Sequence, residues 1–150
     1  MKKLILFLLF LSVCLIISND GSIRTERTIA AAAEAAKEAE WERMVEAICW
    51  VESRNDDTAK SKKSSAAGRF QMLHVYVVEV NRILGKNRYS DSDRHNPKKA
   101  REMFDIYQAH HNPNKDIDRA IRIHRGLCSP KYIKAVKERM TYGRINIGSI

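Results

Sequence analysis

A single carboxyl group interrupts an apolar helical pattern in the first half of the chain. Large apolar side chains recur there at the helical spacing of three and four residues: Trp41, Met44, Val45 and Ile48. One further step of four reaches Glu52, in the last turn of the predicted helix. Burial disfavours the charged form of a carboxyl group, and a protonated acid can donate to a poor leaving group such as a glycosidic oxygen. Glu52 is therefore the main candidate for proton-transfer chemistry.

Other chemically capable side chains have simpler interpretations. Asp56 and Asp57 could supply the second carboxylate of a two-acid glycosidase, but a solvated pair in a loop is the simpler interpretation. The histidines of the chain are His74, His95, His110, His111 and His124. Their spacing matches no zinc motif such as H-E-x-x-H, so we expect packing or surface roles for them and no metal site.

Helical patterns continue on both sides of Glu52. Residues 28–40 are rich in Ala and Glu, which favour helix, but carry almost no large apolar side chain. A polar loop follows Ser53 and ends in the small residues "SSAAG". In "GRFQMLHVYVVEVNRILG", the run "VYVVEV" has strand propensity. The alternative, which we favour, is a helix that ends at Gly85 and has Leu73, Val77, Val80 and Leu84 on one face.

Three more helices are predicted in the second half of the chain. Asn96 and Pro97 have the types expected of a cap and a first helical residue, and Ser129 and Pro130 repeat the pattern. Residues expected to face the core are Ala100, Met103, Phe104, Tyr107, Ile117, Ala120, Ile121, His124, Ile133, Val136 and Met140. The sequence thus predicts one all-α domain over residues 41–141, preceded by the helical lead-in 19–40 and followed by a loose tail, 142–150.

The N-terminus has the pattern of an export signal. "MKK" is a short basic start, and residues 4–17 form an apolar run that is shorter than the roughly 20 residues a spanning helix needs. We predict a signal peptide over residues 1–18, hence a protein of the periplasm, the cell envelope or the medium. The alternative is an uncleaved membrane anchor, in which residues 4–17 associate with the membrane.

The charge indicates a polyanionic partner. The formal net charge is +9, and cleavage after Ser18 removes Lys2 and Lys3 and leaves +7. Such an excess favours nucleic acid, anionic lipid or acidic wall polymers. The basic residues are scattered and lack the aromatic-interleaved stripe of a nucleic-acid groove. Because export also removes the chain from nucleic acid, we expect no nucleic-acid partner.

Two cysteines, Cys49 and Cys128, remain after signal cleavage. In an oxidising compartment they could form a disulfide, which would stabilise the fold by roughly 3–4 kcal/mol. They could equally be two small buried thiols. Two cysteines alone do not decide between these alternatives.

The segment "VESRNDDTAKSKKSSAAGRFQM" resembles the start of the lytic transglycosylase domain, a family related to goose-type lysozyme. In that family a helix ends in Glu-Ser, and a polar loop leads to Gly-Ala-x-Gly-Leu-Met-Gln. The matching residues are Glu52, Ser53, Ala66, Gly68 and Gln71, and the substituted ones are Ser65, Arg69 and Phe70. "HNPKKAREMFDIYQAHH" resembles the family's next helix, and "YIKAV" its late Tyr-x-x-x-Val helix.

The resemblance implies a lysozyme-like helical domain that cleaves peptidoglycan glycan strands. Glu52 would protonate the oxygen between N-acetylmuramic acid and N-acetylglucosamine. It would then act as a base on the muramic acid's 6-hydroxyl, which gives a 1,6-anhydro product, or on water, which makes the enzyme a lysozyme. Ser53 and Gln71 would line the glycan cleft, and Tyr132 would lie near Glu52. No metal or organic cofactor is implied.

The most serious departure of the chain from the family's pattern lies in another motif. Where the family has an aromatic-Asn-Ala/Gly-Gly turn, this chain has His124-Arg125-Gly126-Leu127. An Asn amide can donate and accept toward a sugar's acetamido group, whereas Arg cannot accept. Leu also adds bulk where the family has Gly. The alternative function is therefore an impaired relative that binds glycan or serves as a structural component of a wall-associated assembly.

Overall fold

The chain folds into α-helices, as the sequence predicts. The computed structural model describes the backbone of residues 2–126 and 129–147, and the side chains of residues 23–126 and 129–142. The helices are α1 (Lys2–Ser53), α2 (His74–Leu84), α3 (Pro97–His111), α4 (Ile117–Arg125) and α5 (Pro130–Ile147), with a 3₁₀ helix at Asp91–His95. No β-strand occurs in these ranges, so the prediction of an all-α chain is confirmed.

The chain divides into two units, Met1–Glu40 and Trp41–Ile150. In the first unit every described side chain, from 23 to 40, is exposed, as expected of an Ala- and Glu-rich helix without an apolar face. The signal peptide or anchor predicted at 1–18 lies outside the residues whose side chains are described. Among the described residues, no helix has the length and apolar character needed to span a membrane.

The core of the second unit forms around the apolar stripe of α1. Its predicted members, Trp41, Met44, Val45 and Ile48, are all buried. Phe70 and Phe104 stack with their ring centroids 5.1 Å apart, and Trp41 packs at 6.3 Å from Phe104. Each such side chain contributes about 1.5–3 kcal/mol when it is fully buried. This packing fixes the end of α1, where Glu52 lies.

The inner face of α2 differs in part from the prediction. The segment is a helix rather than a strand, and its buried residues are Tyr76, Val77 and Val80. Leu73, predicted to lie inward, is 42% exposed because it precedes the helix and has extended backbone. Because the helix begins after Leu73, Tyr76 takes the inward position that was predicted for Leu73.

The predicted helix ends are confirmed where short-range rules govern them. The Asn96 side chain accepts hydrogen bonds from the N–H groups of Lys98 and Lys99 at 3.1 Å each, and Pro97 is the first helical residue. Gly85 closes α2 with the left-handed φ of 65° that glycine adopts without strain.

The C-terminal tail is more regular than predicted. The helix α5 reaches Ile147, so most of the segment 142–150 is helical, and residues 148–150 lie outside the described backbone. The Thr141 hydroxyl donates to the Lys137 carbonyl at 3.1 Å, one turn earlier.

Candidate active-site cleft

The loop between α1 and α2 is held by a short antiparallel backbone ladder. Ala67 pairs with Lys60 on one side and with Met72 on the other. The N–H groups of Ala67 and Met72 each donate to the other residue's carbonyl at 3.1 Å. Although the loop sequence is polar and irregular, its second half therefore has a defined backbone path.

Gly68 is required by the path of this loop. Its φ of 71° lies in the left-handed region, and a Cβ at this position would lie 1.8 Å from the carbonyl oxygen of Arg94. Its N–H donates to the Ala59 carbonyl at 2.8 Å. The motif glycine thus has a physical explanation, namely that only a residue without a side chain lets the loop reach Arg94.

Arg94 holds the same loop from the 3₁₀ helix. Its side chain is 9% exposed and donates to the carbonyls of Ser65 and Met72, the latter at 3.0 Å. Its guanidinium also pairs with Asp91 at 3.1 Å. Because Arg94 binds both ends of the 65–72 segment, it positions the cleft. The sequence analysis missed this role, since nothing in the sequence distinguishes a buried arginine from an exposed one.

A cleft of about 690 Å³ lies beside the end of α1. Its walls come from α1, the following loop, α2, α3 and α4, and the lining residues are Glu52, Ser61, Ser64, Ala66, Gln71, Leu73, Val75, Tyr76, Glu79, Tyr107, Ile123, His124, Arg125 and Gly126. Glu52 and Gln71, predicted from separate parts of the motif, lie in the same cleft.

Glu52 is half-buried on the last turn of α1. Within the described part of the chain it forms no hydrogen bond and no ion pair, so no described residue holds its carboxyl group. Glu52 interacts electrostatically with His124: burial lowers the pKa of this imidazole, and the negative charge of Glu52 partly opposes that effect.

Burial lowers the pKa of His124 and so favours its neutral form. Its side chain is buried, and its Nε2 donates to the Phe70 carbonyl at 3.0 Å, since a carbonyl oxygen can only accept. Nδ1 is then the unprotonated acceptor. Its ring packs among aromatic side chains, 5.6 Å from Phe104 and 6.0 Å from Tyr76.

Gln71 is held by the loop backbone. Its φ is 48°, an uncommon value for a residue with a side chain. Its Nε2 donates to the carbonyls of Gly68 at 2.9 Å and Ala59 at 3.4 Å. Since the amide nitrogen is fixed in this way, the amide oxygen is the part of Gln71 that is left to accept a bond from a bound molecule.

Ser53 is not among the residues that line this cleft, and its predicted contact with a glycan stays a prediction. Its hydroxyl donates to the Arg69 carbonyl at 2.9 Å and accepts from the N–H of Asp56 at 3.1 Å. Consecutive side chains on an α-helix point about 100° apart, so Ser53 cannot share the direction of Glu52. Its role in this structure is to join the end of α1 to the loop.

Tyr132 is buried on α5 and is not among the residues that line the cleft. The guanidinium of Arg125, which does line it, lies 4.8 Å from the centre of the Tyr132 ring. The predicted proximity of Tyr132 to Glu52 stays a prediction.

Asp56 and Asp57 lie outside the cleft. Asp57 accepts two hydrogen bonds from Arg69, at 2.5 and 3.0 Å. Asp56 accepts from the backbone and the hydroxyl of Thr58. The structure thus gives both carboxylates roles in the loop rather than in a two-acid site.

The possible disulfide between Cys49 and Cys128 stays a hypothesis, as does its alternative of two buried thiols. Cys49 is buried, and burial raises the pKa of its thiol to about 12. Its predicted partner, Cys128, lies outside the described residues, as does Leu127.

Glu79 is a cleft carboxylate that the sequence analysis missed. It accepts from Arg82 at 2.6 and 2.7 Å and from His111 at 3.2 Å. These donors lower the pKa of Glu79 to about 2, with Arg82 the largest cause. The spacing of Glu79 and Arg82 predicts their pairing, but not that the carboxylate lies in the cleft.

Two buried polar atoms belong to residues of the cleft wall. Within the described residues, the Tyr76 hydroxyl and Nδ1 of His124 have no hydrogen-bond partner. Such atoms typically cost about 1–3 kcal/mol each, and they are uncommon enough in folded proteins to require an explanation. Sites that bind ligands are where this cost is most often tolerated.

No group of His, Cys, Asp or Glu side chains in the described ranges is arranged to hold a metal ion. The cleft presents one carboxyl group without a partner among the described residues, that of Glu52, together with amide, imidazole and guanidinium groups. Comparison with known proteins adds no relative: no family model matches the chain, and no curated protein and no solved structure is significantly similar to it.

Proposed function

We propose that the chain is an exported, lysozyme-like enzyme that cleaves the bond between N-acetylmuramic acid and N-acetylglucosamine, with Glu52 as its catalytic residue. The observation that carries this proposal is that Glu52 and Gln71 line one cleft of about 690 Å³. Pockets of about 300–1,000 Å³ are typical of sites for organic ligands.

The reaction needs one carboxyl group that changes protonation twice. Protonated Glu52 donates to the bridging oxygen, and the bond from this oxygen to C1 of the muramic acid breaks. The resulting carboxylate then takes the proton of the 6-hydroxyl, whose oxygen bonds to C1 and gives the anhydro ring. Water in place of that hydroxyl gives hydrolysis. Glu52 ends protonated in both cases, so no cofactor is consumed.

The surroundings of Glu52 suit this cycle. Since no described residue pairs with it, the carboxyl group is free to exchange its proton with a substrate. Gln71, fixed through its amide nitrogen by Gly68, supplies an oriented acceptor for a sugar hydroxyl or N–H. The net charge of +7 after signal cleavage favours binding to acidic wall polymers, and residues 4–17 would add membrane association if they are retained.

The test compares three proteins on purified peptidoglycan: wild type, Glu52→Gln and Glu46→Gln. Glu46 lies on the same helix but outside the cleft, where it accepts a bond from Asn55 at 2.6 Å. We expect wild type and Glu46→Gln to clear the substrate equally and Glu52→Gln to be slower by about 10²-fold or more. If Glu52→Gln clears the substrate as fast as wild type does, Glu52 is not the catalytic acid.

The second candidate function is an impaired relative that binds glycan or has a structural role in a wall-associated assembly. It is favoured by Arg125, which lines the cleft and stands at the position where the lytic transglycosylase family, which the sequence resembles, has Asn. A guanidinium cannot accept the hydrogen bond that an Asn oxygen accepts. This function predicts that the protein sediments with cell walls and releases no product. It also predicts that the Glu52→Gln variant binds cell walls as well as wild type does.

A further inference from the structure

The cleft carries a second carboxylate, Glu79, which the proposed reaction does not use. We propose that Glu79 is a substrate-binding residue: together with the neighbouring Tyr107 ring it forms a sugar subsite that accepts a hydrogen bond from a neutral hydroxyl or N–H group of the glycan. This inference rests on the proposed glycan substrate and adds a specificity-determining residue to it.

The hydrogen bonds of Glu79 leave room for one more donor. Arg82 Nε donates to Oε2 at 2.6 Å, while Arg82 Nη2 and His111 Nε2 donate to Oε1 at 2.7 and 3.2 Å. A carboxylate has about four acceptor positions, so the three protein bonds leave one position on Oε2. The side chain is 27% exposed, and it is held in place from α2 and α3 at once.

The electrostatics favour a neutral donor over a cation. With a pKa near 2, Glu79 is ionised at any pH where the wall is a substrate, and it can therefore only accept. The guanidinium of Arg82 already offsets its negative charge, so a cationic ligand gains little there. A sugar hydroxyl or an acetamido N–H gains a charge-assisted hydrogen bond without bringing further charge.

The surfaces beside Glu79 are apolar and firm. The Tyr107 ring stacks on the buried Tyr76 at 4.3 Å, and the His111 ring follows at 4.4 Å. Val75, on the same cleft, is 66% exposed. Apolar walls with a few fixed polar groups are characteristic of ligand sites.

Glu79 is suited to binding rather than proton transfer. An effective general base has a pKa near the working pH, and Arg82 holds Glu79 far below it. Its loss should therefore raise KM and leave kcat nearly unchanged, which is the signature of a contact made equally in the ground state and the transition state.

The first experiment measures binding without turnover. Neutral N-acetylglucosamine oligomers are titrated by calorimetry into wild type, Glu79→Gln, Tyr107→Leu and the control Glu42→Gln. Glu42 also accepts two bonds from one arginine, Arg101, but lies outside the cleft. We expect wild type and Glu42→Gln to bind alike, and Glu79→Gln and Tyr107→Leu to bind about tenfold more weakly.

The outcomes separate this subsite from the proposed function. Equal binding by Glu79→Gln and wild type overturns the subsite and leaves Glu52 untouched, whereas no binding by any of the four proteins overturns both. The same titrations are repeated with cationic glucosamine oligomers. If wild type binds these more tightly than the neutral oligomers, and Glu79→Gln loses this preference, the proposal that Glu79 accepts from a neutral donor is wrong. On peptidoglycan, a tenfold rise in KM for Glu79→Gln supports the subsite, and a fall in kcat at unchanged KM contradicts it.

Discussion

Two cavities beside α1 each contain a carboxyl group of that helix, and the two groups differ in whether another side chain pairs with them. In the cleft of about 690 Å³, Glu52 is half-buried and has no ion-pair partner among the described residues. In a smaller cavity of about 120 Å³, Glu42 accepts two hydrogen bonds from Arg101, at 2.7 and 2.5 Å. The same helix thus provides one carboxyl group that is available for chemistry and one that is consumed by the fold.

The difference between the cavities extends to their other residues. In the smaller one, Arg69 is paired with Asp57, and burial keeps the Cys49 thiol protonated by raising its pKa to about 12. In the larger one, Val75 and Leu73 are exposed and the Tyr76 hydroxyl has no partner in the described chain. Satisfied groups in a small space indicate a structural role, whereas unsatisfied and exposed groups around a large space indicate binding.

The strongest way to break this comparison is to remove each carboxylate in turn. Glu52→Gln should lower peptidoglycan cleavage by about 10²-fold or more and leave the free energy of unfolding unchanged or higher, since an unpaired carboxyl group stabilises nothing. Glu42→Gln should leave cleavage unchanged and reduce stability by about 0.5 kcal/mol, because this pair is half exposed and screened. Cleavage rates and urea unfolding of both variants decide the matter. If the two variants behave alike in both measurements, the contrast between the cavities is wrong.

A second prediction concerns the loop that shapes the cleft. Gly68→Ala combines a left-handed φ with a Cβ placed 1.8 Å from the Arg94 carbonyl, so we expect it to cost more than about 4 kcal/mol. Gly85→Ala has a similar φ of 65° but meets no atom within 4 Å, so it should cost only about 1–2 kcal/mol. Urea unfolding of the two variants measures the difference. Equal losses would show that Arg94 does not approach the loop as described.

The smallest predicted effect is a pH dependence of stability from the paired carboxylates. Arg101 lowers the pKa of Glu42, and Arg82 lowers that of Glu79 to about 2, from an ordinary value of 4.5. Because the folded values lie below the unfolded ones, the stabilisation is fully present above about pH 4.5 and is lost as the pH falls toward 2.

The melting temperature of Glu79→Gln should therefore lie below that of wild type at neutral pH and approach it near pH 2. Glu138→Gln, which changes an exposed side chain of α5, is the control and should show little change at either pH. A gap between wild type and Glu79→Gln that widens on acidification contradicts the assigned direction of the shift.

Much of the fold follows from patterns that are local in sequence. The stripe from Trp41 to Ile48 is buried as its spacing predicts, and Asn96, Pro97 and Gly85 act at helix ends as their types predict. Such rules work because the interacting groups are only a few residues apart.

The candidate site was only partly predictable, because side-chain direction depends on packing between distant elements. Glu52 and Gln71 do line one cleft, but Ser53, next to Glu52, points elsewhere. Arg94 and Glu79 were missed because their roles depend on contacts with residues 65–72 and with His111, far away in sequence. A pattern of residue types identifies which side chains could act, and only the packing decides which of them meet.

The most direct test of the central claim is mass spectrometry of the soluble fragments that wild type and Glu52→Gln release from peptidoglycan. The proposed chemistry predicts fragments from wild type that end in muramic acid, either as the 1,6-anhydro form or as the reducing sugar, and almost none from Glu52→Gln. Fragments that end in N-acetylglucosamine, the same fragments from both proteins, or no fragments from wild type would contradict the assignment of Glu52 as the acid that cleaves this bond.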